Sequence, residues 1–391
     1  MKKSLFSHID NIKGELTSMA DYIFDNPEIG LEEVKSSKLL IDWLNKNDFE
    51  TETGLAGMNT AFRAIYENGS GGPSIGLLCE YDAIEGMGHA CGHHMQGPAI
   101  LGAAKAIKEV LKNEPYKLVV YGTPAEETIG AKINMIKEGY FQDIDVALMM
   151  HASPTTTTDV KSLAMSNFNV IFHGTSAHAA LAPEQGRSAL DGLLLLFQGI
   201  EFMREHVKED TRMHYTITNA GGPANVVPKI AEAKFSLRSY DRNYLNTVIE
   251  RFKKVVEGAG LMTETKCEII ETKSLDNKIP VLKLNEILMD NATAVDAPRM
   301  TPPRQKTGSS DFGNVMFQVP GSCIRVAFVP VGTSSHSEEY ITAGKNAEAH
   351  DATIIAAKVL AASSFDMITN PELMKEIREE FTANKKERKL A

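Results

Sequence analysis

The chain has 391 residues, more than a single hydrophobic core usually supports, so two domains are expected. Hydrophobic residues make up 43% and charged residues 24%, which excludes the weakly hydrophobic, highly charged class of disordered chains. A net charge of -10 argues against nucleic-acid binding, because basic residues cluster only in a short tail at 385–389, which we expect to be a solvated end.

Membrane and secreted classes are also disfavoured. Asp10, Glu15 and Asp21 interrupt any apolar segment near the N-terminus, and no window reaches the roughly 18 apolar residues of a membrane span. The four cysteines are few and widely spaced, unlike those of a disulfide framework. We therefore expect a cytoplasmic protein that does not bind membranes.

The spacing of apolar residues in the first part of the chain predicts alternating helices and strands. In chain order these are two helices within 7–48 separated at 27–30, a strand at 74–79, a helix at 98–111, a strand at 117–121, a helix at 131–138 and a strand at 145–150. Two strands joined by a helix form a βαβ unit with parallel strands. This part is therefore predicted to be an α/β domain with a mixed, largely parallel sheet flanked by helices.

A different pattern begins near residue 165. It predicts a strand at 167–173, a helix at 187–206, strands at 213–219 and 231–238, a helix at 243–258 and a strand at 265–272. This βαββαβ order is typical of a ferredoxin-like α+β unit. A helix at 281–291, a strand at 324–329 and a helix at 343–363 then return to the first pattern. We predict a discontinuous catalytic domain, 1–164 and 276–391, with an inserted domain at 165–275.

The segment 88–94 (GHACGHH) carries the strongest chemical signal. It places the Cys91 thiol two residues from the His93 imidazole, and this pair suits Zn²⁺ or a similar ion. A lone cysteine or histidine is more often structural, Cys91 as a small buried hydrophobe and His93 as a hydrogen-bonded loop residue. Whether Cys91 and His93 bind a metal therefore depends on finding further candidate ligands later in the chain.

Carboxylates and imidazoles follow later apolar runs. Asp82, Glu126, Glu127 and His151 each come after a predicted strand, and His336 lies in a later loop. Ligands of open α/β sheets bind beyond the carboxyl ends of the strands, so these groups are expected to converge. Glu126 and Glu127 could instead be an exposed acidic pair, but a pair directly after a buried strand favours a metal site.

Several ordered motifs resemble the amidohydrolase branch of the aminoacylase/carboxypeptidase G type metallopeptidases. The resemblance runs nearly end to end and rests on 88–93 (GHACGH), 122–127 (GTPAEE), 173–180 (HGTSAHAA), 186–189 (GRSA), 225–228 (NVVP), 308–313 (GSSDFG) and 332–337 (GTSSHS). The family includes N-acyl-amino-acid hydrolases, auxin-conjugate hydrolases and p-aminobenzoyl-glutamate hydrolase. It implies hydrolysis of an amide bond in a small substrate of this kind or in a dipeptide.

The resemblance also implies a metal-ligand set. Cys91 would bridge two divalent ions, His93 and His151 would complete one site, and Glu127 and His336 would complete the other. Zinc is the first expectation, although manganese, cobalt and nickel also suit such mixed ligands. Two ions sharing one water would lower its pKa and polarise the scissile carbonyl.

Catalytic roles follow from the chemistry of this ligand set for Glu126 and Asp82, and from the resemblance for His178. Glu126, next to a ligand, would take the proton of the metal-bridging water and return it to the leaving amine. Asp82 would orient a metal-binding histidine, its alternative being a turn-capping aspartate. His178 would cross a dimer interface and stabilise the oxyanion in the partner's site, which implies a homodimer or higher oligomer formed through the inserted domain.

Substrate binding is implied for Asn225, Arg238 and Gly308. Asn225 and Arg238 match positions that hold the substrate carboxylate, although Arg238 could also be a surface charge at a strand end. His94 departs from the family pattern, where Asp or Asn is common. It could add a ligand, alter metal preference or face the protein wall.

Two other functions stay open at this stage. A wide cleft would make the protein a broader peptidase that cuts oligopeptides. A scaffold that binds metal without catalysis is a different class, and the presence of Glu126 beside a full ligand set argues against it because a scaffold needs no general base.

Overall fold

The structure is a computed structural model, and it describes residues 1–387. It contains two compact units. The first combines Met1–Lys161 with the chain from Lys278 onward, and the second is the continuous segment Ser162–Asn277. Arg388 and Lys389 of the basic tail lie outside the described residues.

Within residues 1–387 the strands are β1 (Glu50–Thr53), β2 (Phe62–Asn68), β3 (Ser74–Cys79), β4 (Tyr116–Gly122), β5 (Val146–Ser153), β6 (Ala164–His173), β7 (Arg212–Asn219), β8 (Ile230–Ser239), β9 (Lys266–Leu275) and β10 (Gly321–Ala327). The α-helices are α1 (Lys2–Asn11), α2 (Lys13–Asp25), α3 (Val34–Lys46), α4 (Gln96–Val110), α5 (Ala131–Lys137), α6 (Ala189–Arg204), α7 (Arg242–Thr263), α8 (Leu282–Ala294), α9 (Phe312–Gln318), α10 (Glu338–Ala343), α11 (Ala347–Thr369) and α12 (Pro371–Glu387).

The first unit is built on a six-stranded sheet with the order β1-β2-β4-β3-β5-β10. Strands β4, β3, β5 and β10 are parallel, and β1 and β2 form an antiparallel edge. The predicted unit of two parallel strands joined by a helix is β3-α4-β4. The prediction of a mixed, largely parallel sheet flanked by helices is confirmed.

Both faces of this sheet are buried, which explains the continuous apolar runs in its strands. On β5, Leu148 and Met150 belong to one core cluster, whereas Met149 belongs to the cluster on the other face. The first face packs on helices such as α4 and α11, and the second on α5 and α9. Successive side chains along each strand therefore alternate between two cores.

Helix α11 is long and apolar enough, by composition, to span a membrane: one 18-residue window has a mean hydropathy of 1.4. The sequence predicted a helix at 343–363 in this region and no membrane span. In the structure 72% of that window is buried, and its side chains belong to the core of the first unit. This is the environment of a core helix.

The second unit has the predicted βαββαβ order. Its antiparallel sheet has the order β7-β8-β6-β9, and α6 and α7 contribute to its core. Alternate residues of β8 are buried, among them Ala233, Phe235 and Leu237, so one face of the sheet packs on the helices. Strand β7 lies at the sheet edge and most of its residues are exposed.

The structure differs from the sequence-based expectations in several elements. Strands β1 and β2 and helices α9, α10 and α12 were not predicted. Polar or charged residues interrupt the apolar ones in β1, β2 and α12, and α9 and α10 have only 7 and 6 residues. The first helical region divides again at Ile12, between α1 and α2. Strand β5 continues to Ser153, so His151 lies within the strand and not after it.

Candidate metal centre

Five side chains at the carboxyl-end edge of the parallel strands form two overlapping groups. Candidate ligand atoms of Cys91, His93 and His151 all lie within 4.8 Å of one another, and so do those of Cys91, Glu127 and His336. Cys91 belongs to both groups. This arrangement can hold two ions with the thiolate between them, because cysteine and histidine with a carboxylate form a usual set of Zn²⁺ ligands.

Tight turns bring these residues together. Gly92 has a φ of 80°, and a Cβ atom there would lie 2.4 Å from the Ala152 Cβ. Only glycine adopts this turn without strain and permits this close approach to β5. His336 also has a positive φ, 62°, and its backbone N–H donates to the Ala90 carbonyl at 3.0 Å. That bond holds His336 next to Cys91.

The buried Asp82 carboxylate contacts both groups. His93 Nδ1 lies 3.0 Å from the Asp82 carbonyl oxygen and 3.1 Å from Oδ1, and the Glu127 backbone N–H donates to Oδ2 at 2.9 Å. An imidazole held through Nδ1 presents Nε2 to a metal, which is the usual arrangement around metal-binding histidines.

Two buried atoms in the centre have no hydrogen-bond partner within residues 1–387. They are His93 Nε2 and Glu127 Oε1, although each lies near another polar side chain. Buried polar atoms are almost always hydrogen-bonded, so an orphaned nitrogen and an orphaned oxygen at one place need another partner. The donor set fits divalent metal ions.

His151 is arranged in the same way. Its Nδ1 lies 2.8 Å from the Ala152 carbonyl oxygen, and its Nε2 lies 3.6 Å from the Cys91 Sγ. Burial, and after it the charge of Arg325, lowers the pKa of His151 to about 3. The ring is therefore neutral, which is the form that binds metal.

Glu126 lies beside the ligands and is partly exposed to solvent. A carboxylate oxygen of Glu126 is within 4.8 Å of atoms of His93 and Glu127. Burial raises the pKa of Glu126 well above its usual value, and the nearby carboxylates of Glu80 and Asp311 raise it further. A carboxyl group with a raised pKa is suited to accept and return a proton.

A buried ion cluster that was not predicted from the sequence lies next to Glu126. The Lys132 ammonium lies 2.6 Å from Glu80 Oε1 and 2.7 Å from Asp311 Oδ1, and all three side chains are buried. Gln96 donates to the second oxygen of Glu80 at 2.8 Å. A lysine among small and apolar residues at the start of α5 was the available signal, because a buried ammonium requires carboxylate partners.

His94 belongs to neither ligand group. Its Nε2 lies 2.8 Å from the Gly344 carbonyl oxygen, and its ring packs edge-on against Phe24 at 4.9 Å between centroids. Burial lowers its pKa to about 4. Of the three roles left open by the sequence, this geometry corresponds to a side chain that faces the protein wall.

The remaining predicted residues lie outside these groups. In the second unit His178 and Asn225 are exposed and close together, since Ala179 N donates to the Asn225 carbonyl at 3.0 Å. Asn225 lies before Ile230, the first residue of β8. Arg238 lies eight positions beyond Ile230, which is roughly 26 Å along the strand at about 3.3 Å per residue. One copy of the unit does not bring Arg238 beside the other two.

Arg238 is half-buried, and its Nε lies 3.4 Å from the Ser236 hydroxyl. Burial lowers the pKa of its guanidinium, and within residues 1–387 it forms no ion pair with a carboxylate. Gly308 lies in the first unit, in a loop held by the bond from the Thr307 hydroxyl to the Lys161 carbonyl at 2.8 Å.

Comparison with known proteins identifies a hydrolase that acts on amide or peptide bonds, and the candidate metal centre is consistent with this class. Residues 73–362 match the family model described as peptidase family M20/M25/M40. The chain belongs to this family.

Three known proteins illustrate the similarity. The chain is 31% identical to the Xaa-Arg dipeptidase of Mus musculus, over 100% of this chain and 94% of that protein. It is 30% identical to one of the subunits of the p-aminobenzoyl-glutamate hydrolase of Escherichia coli, over 93% and 91%. A Bacillus subtilis structure described as a dinuclear metal-binding peptidase of the M20 family superposes with a TM-score of 0.66, at 17% identity over 90% and 98%.

Proposed function

We propose that this chain is a two-metal hydrolase that cleaves an amide bond in small N-acyl amino acids, aminobenzoyl-glutamate-like compounds or dipeptides. The observation that carries the proposal is that Cys91 belongs to two ligand groups, one with His93 and His151 and one with Glu127 and His336. The description of the Bacillus subtilis relative as dinuclear supports two ions. Substrates of this size agree with the names of the relatives.

Zinc is the ion we propose, with manganese, cobalt or nickel as alternatives of similar ligand preference. When bound, two such ions acidify a shared water and polarise the scissile carbonyl. The protein's own contribution begins with Asp82, which fixes His93 through Nδ1 and holds the backbone of Glu127. Both ligand groups are thereby oriented by one buried carboxylate.

Glu126 is proposed as the general base and acid. It accepts the proton of the attacking water at its carboxylate and delivers it to the leaving nitrogen, so that the free amine departs. The raised pKa of this carboxyl supports the first step, because a less acidic carboxyl group is a stronger base towards the water.

Substrate recognition is proposed for Asn225, Arg238 and Gly308, and oxyanion stabilisation for His178. The half-buried guanidinium of Arg238 has no carboxylate partner among residues 1–387, which supports binding of a substrate carboxylate. Asn225 precedes the start of β8 and Arg238 lies near the other end of that strand, which supports a site in which two subunits contribute these residues.

A homodimer or higher oligomer formed through the second unit is therefore part of the proposal. That unit offers an exposed edge strand, β7, and exposed apolar side chains such as Phe202 and Leu261, which are 71% and 81% exposed. Exposed apolar groups and unpaired strand edges are common features of protein interfaces. We also propose a cytoplasmic location.

The first experiment measures metal content per chain together with release of free amine from N-acyl amino acids, aminobenzoyl-glutamate and short peptides, before and after chelation. About two ions and turnover that chelation abolishes would support the proposal. Turnover of oligopeptides would favour the broader peptidase. Two bound ions without hydrolysis of any amide would favour a metal-binding scaffold, and no bound metal under metal-replete conditions would refute the metal centre.

A further inference from the structure

Arg325 lies directly beside the metal centre. In the parallel pairing of β5 with β10 it is the register partner of His151, so both side chains point to the same face of the sheet. Electrostatic interactions also link its guanidinium to the Cys91 thiol and the Tyr340 hydroxyl. A fixed positive charge therefore adjoins the candidate ligands.

The Asp159 carboxylate binds this guanidinium through the Nε atom. The Arg325 Nε lies 3.1 Å from Asp159 Oδ2, and the same carboxylate accepts from Arg304 Nη2 at 2.7 Å and Lys278 Nζ at 2.6 Å. One carboxylate carries a single negative charge, so the two guanidinium groups alone exceed it. The cluster therefore keeps excess positive charge.

The terminal nitrogens of the Arg325 guanidinium are accessible to a ligand. Within residues 1–387, Asp159 is the only hydrogen-bonding partner of the Arg325 side chain, and the bonds use Nε alone. The two terminal nitrogens are thus available, and the side chain remains 17% exposed. Arg304, at 35% side-chain exposure, is more open still. Paired terminal nitrogens of arginine match the geometry of a carboxylate.

We infer that Arg325, assisted by Arg304, binds a carboxylate of the substrate next to the metal centre. The inference rests on the proposed function, in which Asn225 and Arg238 hold the α-carboxylate. The carboxylate at Arg325 is then a second one, so the preferred substrates carry two. The same charge disfavours a substrate with a guanidinium or ammonium group at that place.

A purely structural role for Arg325 would be to neutralise Asp159. That role needs only the Nε, and Lys278 and Arg304 already neutralise the carboxylate. Neutralising Asp159 leaves the two terminal nitrogens of Arg325 unused, and a binding role would use them. The Arg325→Gln variant should therefore fold, which circular dichroism and the urea midpoint would verify.

Two matched substrate pairs test the inference. Aminobenzoyl-glutamate against aminobenzoyl-glutamine changes the charge in the amino-acid part, and N-succinyl-alanine against its terminal amide changes it in the acyl part. We expect kcat/KM of the wild type to favour the acid in at least one pair by about 10- to 100-fold, the range of a charge-assisted hydrogen bond. Arg325→Gln should abolish that preference, mainly through KM, while leaving the amide substrate nearly unchanged.

Arg325→Lys and Arg63→Gln provide the controls. Lysine keeps the charge but lacks the paired nitrogens, so an intermediate preference is expected. Arg63 lies on β2 of the same sheet, paired with Glu52 at 2.6 Å, and its loss should leave the preference intact. Equal hydrolysis of acid and amide in both pairs by the wild type, or an equal loss on both substrates in Arg325→Gln, would overturn the inference.

A binding measurement separates this inference from the proposed function. Glutarate is titrated calorimetrically into chelator-treated protein, in which no metal can bind the carboxylate. The wild type should bind glutarate about tenfold or more tightly than Arg325→Gln does, and equal affinities would overturn the inference. If no amide is hydrolysed the proposed function fails, and this titration still decides the role of Arg325.

Discussion

The Nδ1 atom of His93 lies 3.1 Å from the Oδ1 atom of Asp82, and the other carboxylate oxygen accepts the Glu127 backbone N–H. One buried side chain therefore fixes an imidazole of the first ligand group and the backbone of the second.

We expect Asp82→Ala to weaken metal binding by about 10- to 100-fold, as is typical when the partner of a metal-binding histidine is removed. Competition with a chromophoric chelator measures this affinity. Asp145→Ala is the matched control, because Asp145 also accepts a backbone N–H, from Ser74 at 2.9 Å, but lies outside the ligand groups. Equal affinities of the Asp82 variant and the wild type would refute the role of Asp82.

The shared position of Cys91 predicts different metal stoichiometries for two variants. Cys91→Ala removes a ligand from both groups and should reduce bound metal towards zero at limiting free metal. His336→Ala affects only the group with Glu127 and should leave about one ion per chain. Elemental analysis after gel filtration measures both. A Cys91 variant that retains two ions would contradict the bridging arrangement.

Glu126→Gln should retain two ions and lose activity. Glutamine keeps the shape of the side chain but cannot accept the water's proton, so kcat should fall by about 10² to 10⁴-fold. Glu127→Gln is the control, since loss of a proposed ligand should lower metal content as well. A Glu126→Gln variant with full turnover would exclude Glu126 as the general base.

Lys132→Met should destabilise the fold by about 3 kcal/mol or more, because it leaves the buried Glu80 and Asp311 carboxylates without their shared cation. Urea unfolding measures the change. Lys117→Met removes a more exposed pair, with Asp143 at 2.7 Å, and should cost less than about 1 kcal/mol. Similar decreases in the free energy of unfolding of the two variants would show that the buried Lys132 ion pairs stabilise the fold no more than an exposed pair does.

The raised pKa of the buried Glu33 predicts that the free energy of unfolding depends on pH. Burial raises its pKa to about 7 from 4.5, although it accepts bonds from Thr60 and the Ala125 N–H. At pH values between 4.5 and about 7, the Glu33 carboxyl group is ionised in the unfolded state and still protonated in the native state. The Glu33 contribution to the free energy of unfolding should therefore fall as pH rises from about 4.5 to 7, by up to about 3 kcal/mol, and stay constant above.

The measurement compares urea midpoints at pH 5 and pH 8. Glu33→Gln can still bond to Thr60 and Ala125 and should lose less stability than the wild type between the two pH values. Glu32→Gln, an exposed neighbour, should behave as the wild type does. If the wild type and Glu33→Gln change in parallel, burial of Glu33 does not perturb its ionisation.

Some elements were predictable because their signals are local. Strands β3 and β4 are continuous apolar runs, and residue type alone indicates that such runs are buried on both faces of a sheet. The helical spacing of apolar residues between them predicted the connecting helix. Strand β2 was missed because only alternate residues such as Phe62 and Ala64 are fully buried, and its pairing with β4 depends on residues far away in the chain. A strand whose apolar residues are interrupted by polar ones gives a weaker sequence signal than a continuous apolar run.

The sequence by itself determined the fold class and which residue types could form a metal centre, since periodicity and ligand chemistry are properties of short segments. Only the tertiary structure decided that Cys91 is common to two ligand groups, that His94 turns to the Gly344 carbonyl, and that Arg325 stands beside His151. These relationships join segments that are distant along the chain. Sheet register and side-chain direction fix them, and neither is written in local sequence.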